Sequence, residues 1–437
     1  MMDPEICARM RADWNARAGE DAHYYVAFGR RGQPEEEFFE TAQEMASALA
    51  RELRRLPKEW KPRARRALEI GCGPGRLMKP LSRYFGEIHG VDVSDEMIRL
   101  AKNRLHGIPH AHVHATSGAD LAPFADDSFD FVYSYAVFQH IPSGEVVFQY
   151  LREARRVLKM RGILRCQING LPETAARYDT WCGVRIPAAA VAAFARENDF
   201  QLLALEGAST QYMWATMRKQ PEGWSRRASQ NRWAPGVRIR RITNSHSSEP
   251  VAPPRGRFAA VSLWVEKLPE DADINQLEIR IAGRSAACTY IGPTEPDGLQ
   301  QVNALVPDGV GTGLQPVELC QAGAQPLANT VLRIIPPPPP APRMVSVRDG
   351  IDLLSDCRIT SGSVKVTLEE VFEIKALRAT VDGLPVRDWD VFCTDPRVPC
   401  HEVNFQLPEG IFPGGHMLRL WLGRREIGST AIEVVGG

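Results

Sequence analysis

The segment 68–77, LEIGCGPGRL, constrains the fold more than any other part of the sequence. A short apolar strand is followed by three glycines and then by a helix, the glycines being Gly71, Gly73 and Gly75. Glycine tolerates the backbone angles of such a turn and lets a ligand approach the backbone closely. The dinucleotide pattern G-x-G-x-x-G would place glycine or alanine where this chain has Arg76. The spacing therefore favours a cofactor without a pyrophosphate.

Strand and helix signals alternate through the first half of the chain. Short apolar strands are predicted at 67–70, 89–93, 129–134 and 162–168, with two late strands near 202–206 and 211–217. Helical faces lie between them: one over 38–53, one after Ser94, one over 143–158 and one over 187–197. Such alternation predicts a doubly wound α/β fold, with a mostly parallel sheet that is covered on both faces.

The 437 residues suffice for two to four domains, and two stretches divide them. Proline, glycine and serine accumulate between 219 and 256, and five consecutive prolines occupy 336–340. A proline run adopts a stiff extended helix and acts as a spacer. We therefore predict a first domain with a helical cap, two further domains and two linkers, at 1–220 (core 66–218), 221–234 (linker), 235–337, 338–342 (proline linker) and 343–437.

The two later blocks repeat each other and read as all-β. Residues 301–310 match 402–411 at an offset of 101, and 316–319 match 417–420 at the same offset. A β-rich repeat of about 100 residues has the size of an immunoglobulin-like sandwich. The pattern V-N-x-x-x-P-x-G resembles the immunoglobulin-like (TIG-type) repeats of bacterial multidomain proteins, which implies two all-β sandwiches.

Charge and cysteine usage exclude several classes of partner and site. Lys plus Arg number 53 and Asp plus Glu number 53, so neither a nucleic-acid partner nor a membrane partner is expected. The sequence contains no run of about 18 apolar residues, so no membrane span is predicted. The N-terminal MMDPEICARMRADW carries charges where a signal core would be apolar, so no secretion signal is predicted. The nine scattered cysteines include no C-x-x-C pair, which favours a reducing, cytoplasmic location without a metal site. A disulfide between Cys393 and Cys400 stays open as an alternative.

Further motifs accompany the glycine turn. Asp92 ends the second strand, 17 residues after Gly75, where a carboxylate can accept hydrogen bonds from both hydroxyls of a ribose. Together with G-V-D-V-S at 90–94, S-F-D-F-V-Y-S at 128–134 and V-L-K-x-x-G at 157–162, the turn resembles the class I S-adenosylmethionine-dependent methyltransferases of the small-molecule type. The resemblance covers about 66–218 and implies that the last strand of the sheet is antiparallel.

The resemblance implies S-adenosyl-L-methionine as the cofactor and assigns roles to individual residues. The glycine turn and Glu69 would flank the methionine end, Asp92 would hold the ribose, and Met97 would pack on the adenine. The implied cofactor contacts are Glu69, Gly71, Cys72, Gly73, Gly75, Asp92, Val93, Met97, Ala119, Asp120 and Ser134. The chain departs from the family at Gly118, where many relatives carry an acid. Three alternatives stay open: Asp92 caps the next helix, Met97 is a core residue, and Cys72 is a small filler.

Methyl transfer from a sulfonium needs alignment and exclusion of water, and it needs no metal. A hydroxyl or protonated amine acceptor also needs a base, and His140, after the fourth strand, is the candidate. Its structural alternative is packing beneath the next helix. Aromatic residues predicted to surround the acceptor are Trp14, Tyr24, Tyr25, Tyr178, Trp181, and Tyr212 or Trp214.

Three functions follow from these observations. The first is O- or N-methylation of a small-molecule or sugar-like acceptor. The second is a non-catalytic scaffold that binds S-adenosylmethionine and whose sandwiches hold a protein or glycan partner. The third is an NAD(P)-dependent oxidoreductase on the same type of sheet.

Overall fold

The computed structural model describes residues 4–27, 31–173, 177–337, 339–351, 356–395 and 399–435. The chain divides into one unit of Met1–Ala16 with Ala42–Pro337, and a second unit of Arg17–Thr41 with Pro338–Gly437. Part of the predicted proline linker, Pro338, lies outside the described residues. The division differs from the sequence-based boundaries, which assigned 17–41 to a cap on the first domain. Within the second unit, burial and the charge of Asp349 raise the pKa of Tyr24, so this segment lies near the C-terminal block.

The helices of the described chain are α1 Pro4–Ala27, α2 Glu35–Glu40, α3 Gln43–Glu52, α4 Met78–Leu81, α5 Asp95–Leu105, α6 Gly144–Val157, α7 Ala188–Glu197 and α8 Trp224–Gln230. The apolar face over 38–53 is thus divided between α2 and α3. Helix α2 ends at Glu40, and the hydroxyl of the next residue, Thr41, donates to the Phe38 carbonyl at 2.6 Å. Helix α8 occupies the stretch predicted as a linker over 221–234. In α1 the backbone is extended at Asp21, and its carboxylate accepts the Tyr24 N–H at 3.0 Å.

The first sheet follows the predicted alternation. Its strands are β1 Arg66–Ile70, β2 Glu87–Asp92, β3 Ala111–Ala115, β4 Phe129–Ser134, β5 Leu158–Ile168, β6 Phe200–Glu206 and β7 Met213–Lys219. They lie in the order β3-β2-β1-β4-β5-β7-β6, and β7 runs antiparallel to both β5 and β6 while the other pairs are parallel. Apolar residues of α6 and α7 pack on one face, and those of α3, α4 and α5 pack on the other. The prediction of a mostly parallel, doubly wound sheet is confirmed.

The rest of the first unit is a two-sheet β-sandwich. Its strands are β8 Arg238–Asn244, β9 Val251–Ala252, β10 Ala260–Glu266, β11 Leu277–Ile281, β12 Arg284–Ala286, β13 Cys288–Ile291, β14 Leu299–Leu305, β15 Gly313–Gln321 and β16 Pro326–Ile334. One sheet has the order β13-β14-β10-β8 and the other β12-β11-β15-β16-β9. Alternate residues of β10, β11, β14 and β15 point into a shared apolar core, as expected for strands with one buried face.

The C-terminal block of the second unit repeats this arrangement strand for strand. Its strands are β17 Arg343–Asp349, β18 Arg358–Ile359, β19 Ser363–Glu369, β20 Leu377–Val381, β21 Leu384–Pro385, β22 Asp390–Asp395, β23 Cys400–Gln406, β24 Gly414–Leu422 and β25 Arg425–Val434. The sheets have the orders β22-β23-β19-β17 and β21-β20-β24-β25-β18, which are those of the first sandwich. The tight turn with positive φ at Ala282 and Gly283 recurs at Asp382 and Gly383. The predicted internal repeat is therefore confirmed, while its immunoglobulin-like relationship stays a prediction.

The mostly parallel sheet continues directly into one sheet of the first sandwich. Strand β6 pairs antiparallel with β13 through Ala204 and Tyr290, so that β13, β14, β10 and β8 extend the sheet. The segment after β10 also covers β6, because Asp273 accepts the Leu202 N–H at 2.5 Å and the Ile274 N–H donates to the Leu202 carbonyl at 3.0 Å. An edge strand that would otherwise expose unpaired backbone groups is thus covered.

No helix among the described residues has the length and apolar character that crossing a bilayer requires.

The bonds of Asp273 lead to a testable expectation about stability. Asp273→Ala leaves the buried N–H group of Leu202 and the partly buried N–H group of Asn275 without their acceptor, and loss of a buried hydrogen-bond partner costs about 1–3 kcal/mol. We expect chemical denaturation to show a free energy of unfolding of the first unit lower by about 2 kcal/mol or more. Asp271→Ala, at a less buried acid in the same segment, is the control. Equal stability of the two variants would contradict this account of the covered edge.

Candidate active site

The turn after β1 brings bare backbone to the carboxyl edge of the sheet. Gly71, Gly73 and Gly75 have φ angles of +72°, +51° and +84°, in the region that side chains disfavour. The Gly71 N–H donates to the Val91 carbonyl at 2.8 Å, which joins the turn to β2. A Cβ atom at position 71 would lie 2.3 Å from Cγ2 of Val137. Glycine is therefore required here, as the sequence predicts.

The Asp92 carboxylate joins the glycine turn to the start of α5. Its Oδ2 accepts the Gly73 N–H at 2.9 Å, and its Oδ1 accepts the Ser94 N–H at 2.9 Å. Ser94 in turn caps α5 by accepting the Met97 N–H at 3.1 Å. Burial raises the pKa of Asp92, and its bonds from Ser94, Gly73 and Val93 oppose that rise. Because a carboxylate oxygen accepts more than one hydrogen bond, these contacts leave capacity for a hydroxyl ligand.

Glu69 is a buried carboxyl directly before the turn. Its side chain is covered by the protein, and Tyr133 donates its hydroxyl to Oε2 at 2.9 Å. Burial raises the pKa of Glu69 to about 8, against the opposing effects of the Tyr133 hydrogen bond and the charge of Arg76. The carboxyl therefore holds a proton over much of the neutral range.

Cys72 and Ser134 have structural contacts at the same edge. Burial raises the pKa of the Cys72 thiol well above its usual value, and a protonated thiol is a poor nucleophile. The Ser134 hydroxyl donates to the Ile70 carbonyl at 2.9 Å, which ties the ends of β4 and β1 together. Gly90 begins the G-V-D-V-S motif but has no predicted role of its own. A Cβ at this position would lie 2.7 Å from Cβ of Cys72, so the close packing of the two strand ends favours glycine.

The turn that carries the predicted cofactor contacts Ala119 and Asp120 is compact. Ala119 is buried, and the Asp120 carboxylate accepts the Ser117 hydroxyl at 2.5 Å and the backbone N–H two residues further on at 3.0 Å. Gly118 has a φ of +100°, and a Cβ there would lie 2.9 Å from Cγ2 of Val93. This close approach and the positive φ both favour glycine at position 118.

The first part of α1 is fastened over the turn between β2 and α5. Arg11 pairs with Asp95 at 3.0 Å and donates to the Thr116 carbonyl at 2.6 Å. The Asn15 side-chain oxygen accepts the Ser94 hydroxyl at 2.8 Å. Sequence reasoning predicted a helical cap but named neither Arg11 nor Asn15, because a contact between distant polar residues leaves no local pattern.

His140 is buried, and both of its ring nitrogens have partners. Nδ1 lies 2.8 Å from the Trp181 carbonyl, and Nε2 lies 3.2 Å from Nε2 of Gln139. Since a carbonyl can only accept, Nδ1 carries the proton, and Nε2 accepts from the amide. The ring also meets Trp14 edge-on, with 5.4 Å between centroids. These contacts favour the structural alternative, and a role as general base stays a prediction.

A buried chain of amides supports His140. Gln167 donates to Oε1 of Gln139 at 3.2 Å and accepts the Ala136 N–H at 3.1 Å. Ala136 has a φ of +58°, a strained conformation for a residue with a side chain. Sequence reasoning missed this network, because a glutamine inside an apolar strand gives no sign of its partner.

The structure brings some of the predicted aromatic residues together. Trp14 and Trp181 both contact His140, and the hydroxyl of Thr180 donates to Asp13 at 2.5 Å beside them. Trp181 is 38% exposed, so it faces solvent as well as the imidazole.

The other predicted aromatic residues differ in their contacts and in how far they are exposed. Trp214 stacks on Tyr135 with 5.5 Å between centroids, while Tyr178 is half-buried and Tyr212 is exposed. Tyr24 and Tyr25 belong to the second unit, where the Arg31 guanidinium lies 4.5 Å from the Tyr24 ring centroid. Their role as acceptor contacts stays a prediction. Within the described ranges, no cluster of three or more His, Cys, Asp or Glu side chains has a metal-binding arrangement.

Residues 68–166 match the family model described as a methyltransferase domain. Phosphoethanolamine N-methyltransferase 2 of Caenorhabditis elegans is 36% identical over 89 residues, which are 20% of this chain and 20% of that protein. The ubiquinone biosynthesis O-methyltransferase of Xanthomonas oryzae pv. oryzae is 30% identical over 102 residues, 23% of this chain and 41% of that protein. The match supports a methyltransferase domain within residues 68–166 of this chain.

The chain spans between one fifth and about two fifths of the length of these curated relatives. Among solved structures, geranyl diphosphate C-methyltransferase of Streptomyces coelicolor, in a complex containing S-adenosyl-L-homocysteine, is 16% identical with a TM-score of 0.37. That match covers 49% of this chain and 97% of the other.

Asp92 gives the first prediction at this site. Asp92→Asn replaces one acceptor oxygen with a donor, so we expect S-adenosylhomocysteine to bind about 1–3 kcal/mol more weakly by isothermal titration calorimetry. Asp126→Asn, at an exposed acid paired with Arg156, is the matched control and should bind as the unmodified protein does. Unchanged affinity in Asp92→Asn would remove Asp92 from the cofactor site.

Glu69 gives a prediction about pH. Its pKa is higher in the folded chain than the ordinary value of 4.5. The free energy of unfolding of the protein should therefore fall as the pH rises from about 5 to 8, because ionisation is easier in the unfolded chain. Gln cannot ionise, so the stability of Glu69→Gln relative to the unmodified protein should increase over this range by about 1 kcal/mol or more. Denaturation at several pH values tests this, and a constant difference would show that Glu69 is already ionised at low pH.

Proposed function

We propose that this protein is an S-adenosylmethionine-dependent methyltransferase that methylates an oxygen or nitrogen atom of a small-molecule acceptor. One observation carries the proposal: a glycine turn at the carboxyl edge of the sheet, held by the Asp92 carboxylate, within the segment that matches a methyltransferase domain. In open α/β sheets, ligands bind in the crevice outside the carboxyl ends of the strands.

The residues at this edge fit such a cofactor. From Gly71 to Gly75 the only side chains are those of Cys72 and Pro74, so little bulk keeps a ligand from this backbone. Asp92 offers acceptor capacity for a ribose diol. When bound, S-adenosylmethionine supplies a methyl group on a sulfonium whose leaving group is a neutral thioether. Glu69, which is protonated near neutral pH, can donate a hydrogen bond and would add little negative charge.

On the acceptor side, the contribution of the protein is position and shelter. Trp14 and Trp181 contact His140 from two directions, and Gln139 and Gln167 fix the imidazole. We infer that this cluster orients a small, partly apolar acceptor and excludes water from it. The relatives named as N- and O-methyltransferases support nitrogen and oxygen as candidate acceptor atoms.

Cofactor choice separates methyl transfer from the oxidoreductase alternative. We expect S-adenosylhomocysteine to raise the melting temperature of the full chain and NADH to leave it unchanged, because the glycine spacing lacks the pyrophosphate pattern. Stabilisation by NADH alone would overturn the proposal.

Turnover separates an enzyme from a scaffold. A panel of hydroxyl and amine acceptors is incubated with S-adenosylmethionine, and mass spectrometry looks for products heavier by one methyl group. Binding of S-adenosylhomocysteine without any product across the panel would favour the scaffold.

A further inference from the structure

A cavity lies in the first unit, on the edge of the sheet opposite the glycine turn. Its volume is about 390 Å³, within the usual range of ligand pockets. It is lined by the segment 54–59 after α3, by the sheet residues Arg161, Leu203 and Arg218, and by loops of the first sandwich. Arg161 lies near the start of β5, and Arg218 pairs with Ile163 of that strand, so this is the amino edge of the parallel strands.

Cationic side chains dominate the lining. The cations are Arg54, Arg55, Lys58, Arg161 and Arg218, and the acids are Glu59 and Glu270. Arg54 pairs with Glu295 and Arg55 with Glu52, each at 2.6 Å. Arg161 pairs with Glu270 at 2.8 Å. In the described part of the chain, no carboxylate forms an ion pair with Lys58 or Arg218.

The guanidinium of Arg218 is incompletely hydrogen-bonded and has no carboxylate partner within the described residues. Its Nη1 donates to Gln201 at 3.2 Å and its Nη2 to the Arg55 carbonyl at 3.1 Å, whereas its buried Nε has no hydrogen-bond partner. Nη2 of Arg55 is buried and unpartnered as well. Burial lowers the pKa of Arg218 to about 10. The neighbouring positive charges of Arg55 and Arg161 also lower this pKa, while the negative charge of Glu270 raises it. A largely buried guanidinium that has no carboxylate partner is costly.

We propose that this cavity binds a small molecule that carries a phosphate or carboxylate group. Arg218 and Lys58, which form no ion pair within the described residues, supply the positive field, and arginine matches the planar geometry of both kinds of oxyanion. The bound anion spans the junction at which β6 meets the first sandwich, because the lining comes from both sides of that junction. The proposal is independent of methyl transfer, since the cavity and the glycine turn lie on opposite edges of the sheet.

The test uses the full chain and three probes: inorganic phosphate, pyrophosphate and citrate, titrated calorimetrically at constant ionic strength. We expect at least one probe to bind, and Arg218→Met and Lys58→Met each to bind it about tenfold more weakly or worse. Arg99→Met, at an exposed arginine of α5 paired with Glu96, is the control and should bind as the unmodified protein does.

The outcomes are distinguishable. Preference for the phosphates or for citrate identifies the oxyanion class. Equal binding by the unmodified protein, Arg218→Met and Lys58→Met would overturn the site, and so would the absence of binding by all three probes. If Arg218→Met does not fold, Lys58→Met decides, because Lys58 is exposed and its loss leaves no buried group unpaired. Unchanged S-adenosylhomocysteine binding in Lys58→Met would confirm that the two sites are separate.

Discussion

The hydrogen bonds from the N–H groups of Gly73 and Ser94 to the Asp92 carboxylate determine the geometry of the candidate site. They hold the glycine turn against the end of β2 and fix the first turn of α5. Asn15 of α1 then bonds to Ser94, so the covering helix is positioned by the same turn. One half-buried carboxylate therefore connects three separate elements through hydrogen bonds within the protein. A site that the protein's own hydrogen bonds hold in place has less conformational entropy to lose when a ligand binds.

The sequence was most informative where the structural requirement is local. A left-handed φ at Gly71 can be anticipated from the residues themselves, because few other residues adopt it. The sandwich repeat was recognisable for the same reason: Gly309 and Gly410, at the offset of 101, both have positive φ after equivalent strands. Strand alternation similarly predicted the parallel sheet, since buried parallel strands are nearly continuous apolar runs.

The sequence was least informative where distant segments meet. The pairing of Ala204 with Tyr290 continues one sheet across a predicted domain boundary, and no local pattern announces it. The grouping of 17–41 with the C-terminal block is equally non-local. Buried polar residues illustrate the same point. The hydrogen-bond partners of Gln167 are Gln139 and Ala136, which lie in another segment and cannot be read from the strand that contains Gln167. The cationic cavity depends on such a meeting of segments and could not be predicted.

The most direct test of the central claim is a crystal structure of the full chain with S-adenosylhomocysteine. We expect electron density for the ligand against the backbone of Gly71 to Gly75. Its ribose hydroxyls should lie within hydrogen-bond distance of the Asp92 carboxylate, and that carboxylate should still accept the Gly73 N–H. Density for the ligand at another place, with Asp92 in contact only with protein, would contradict the claim.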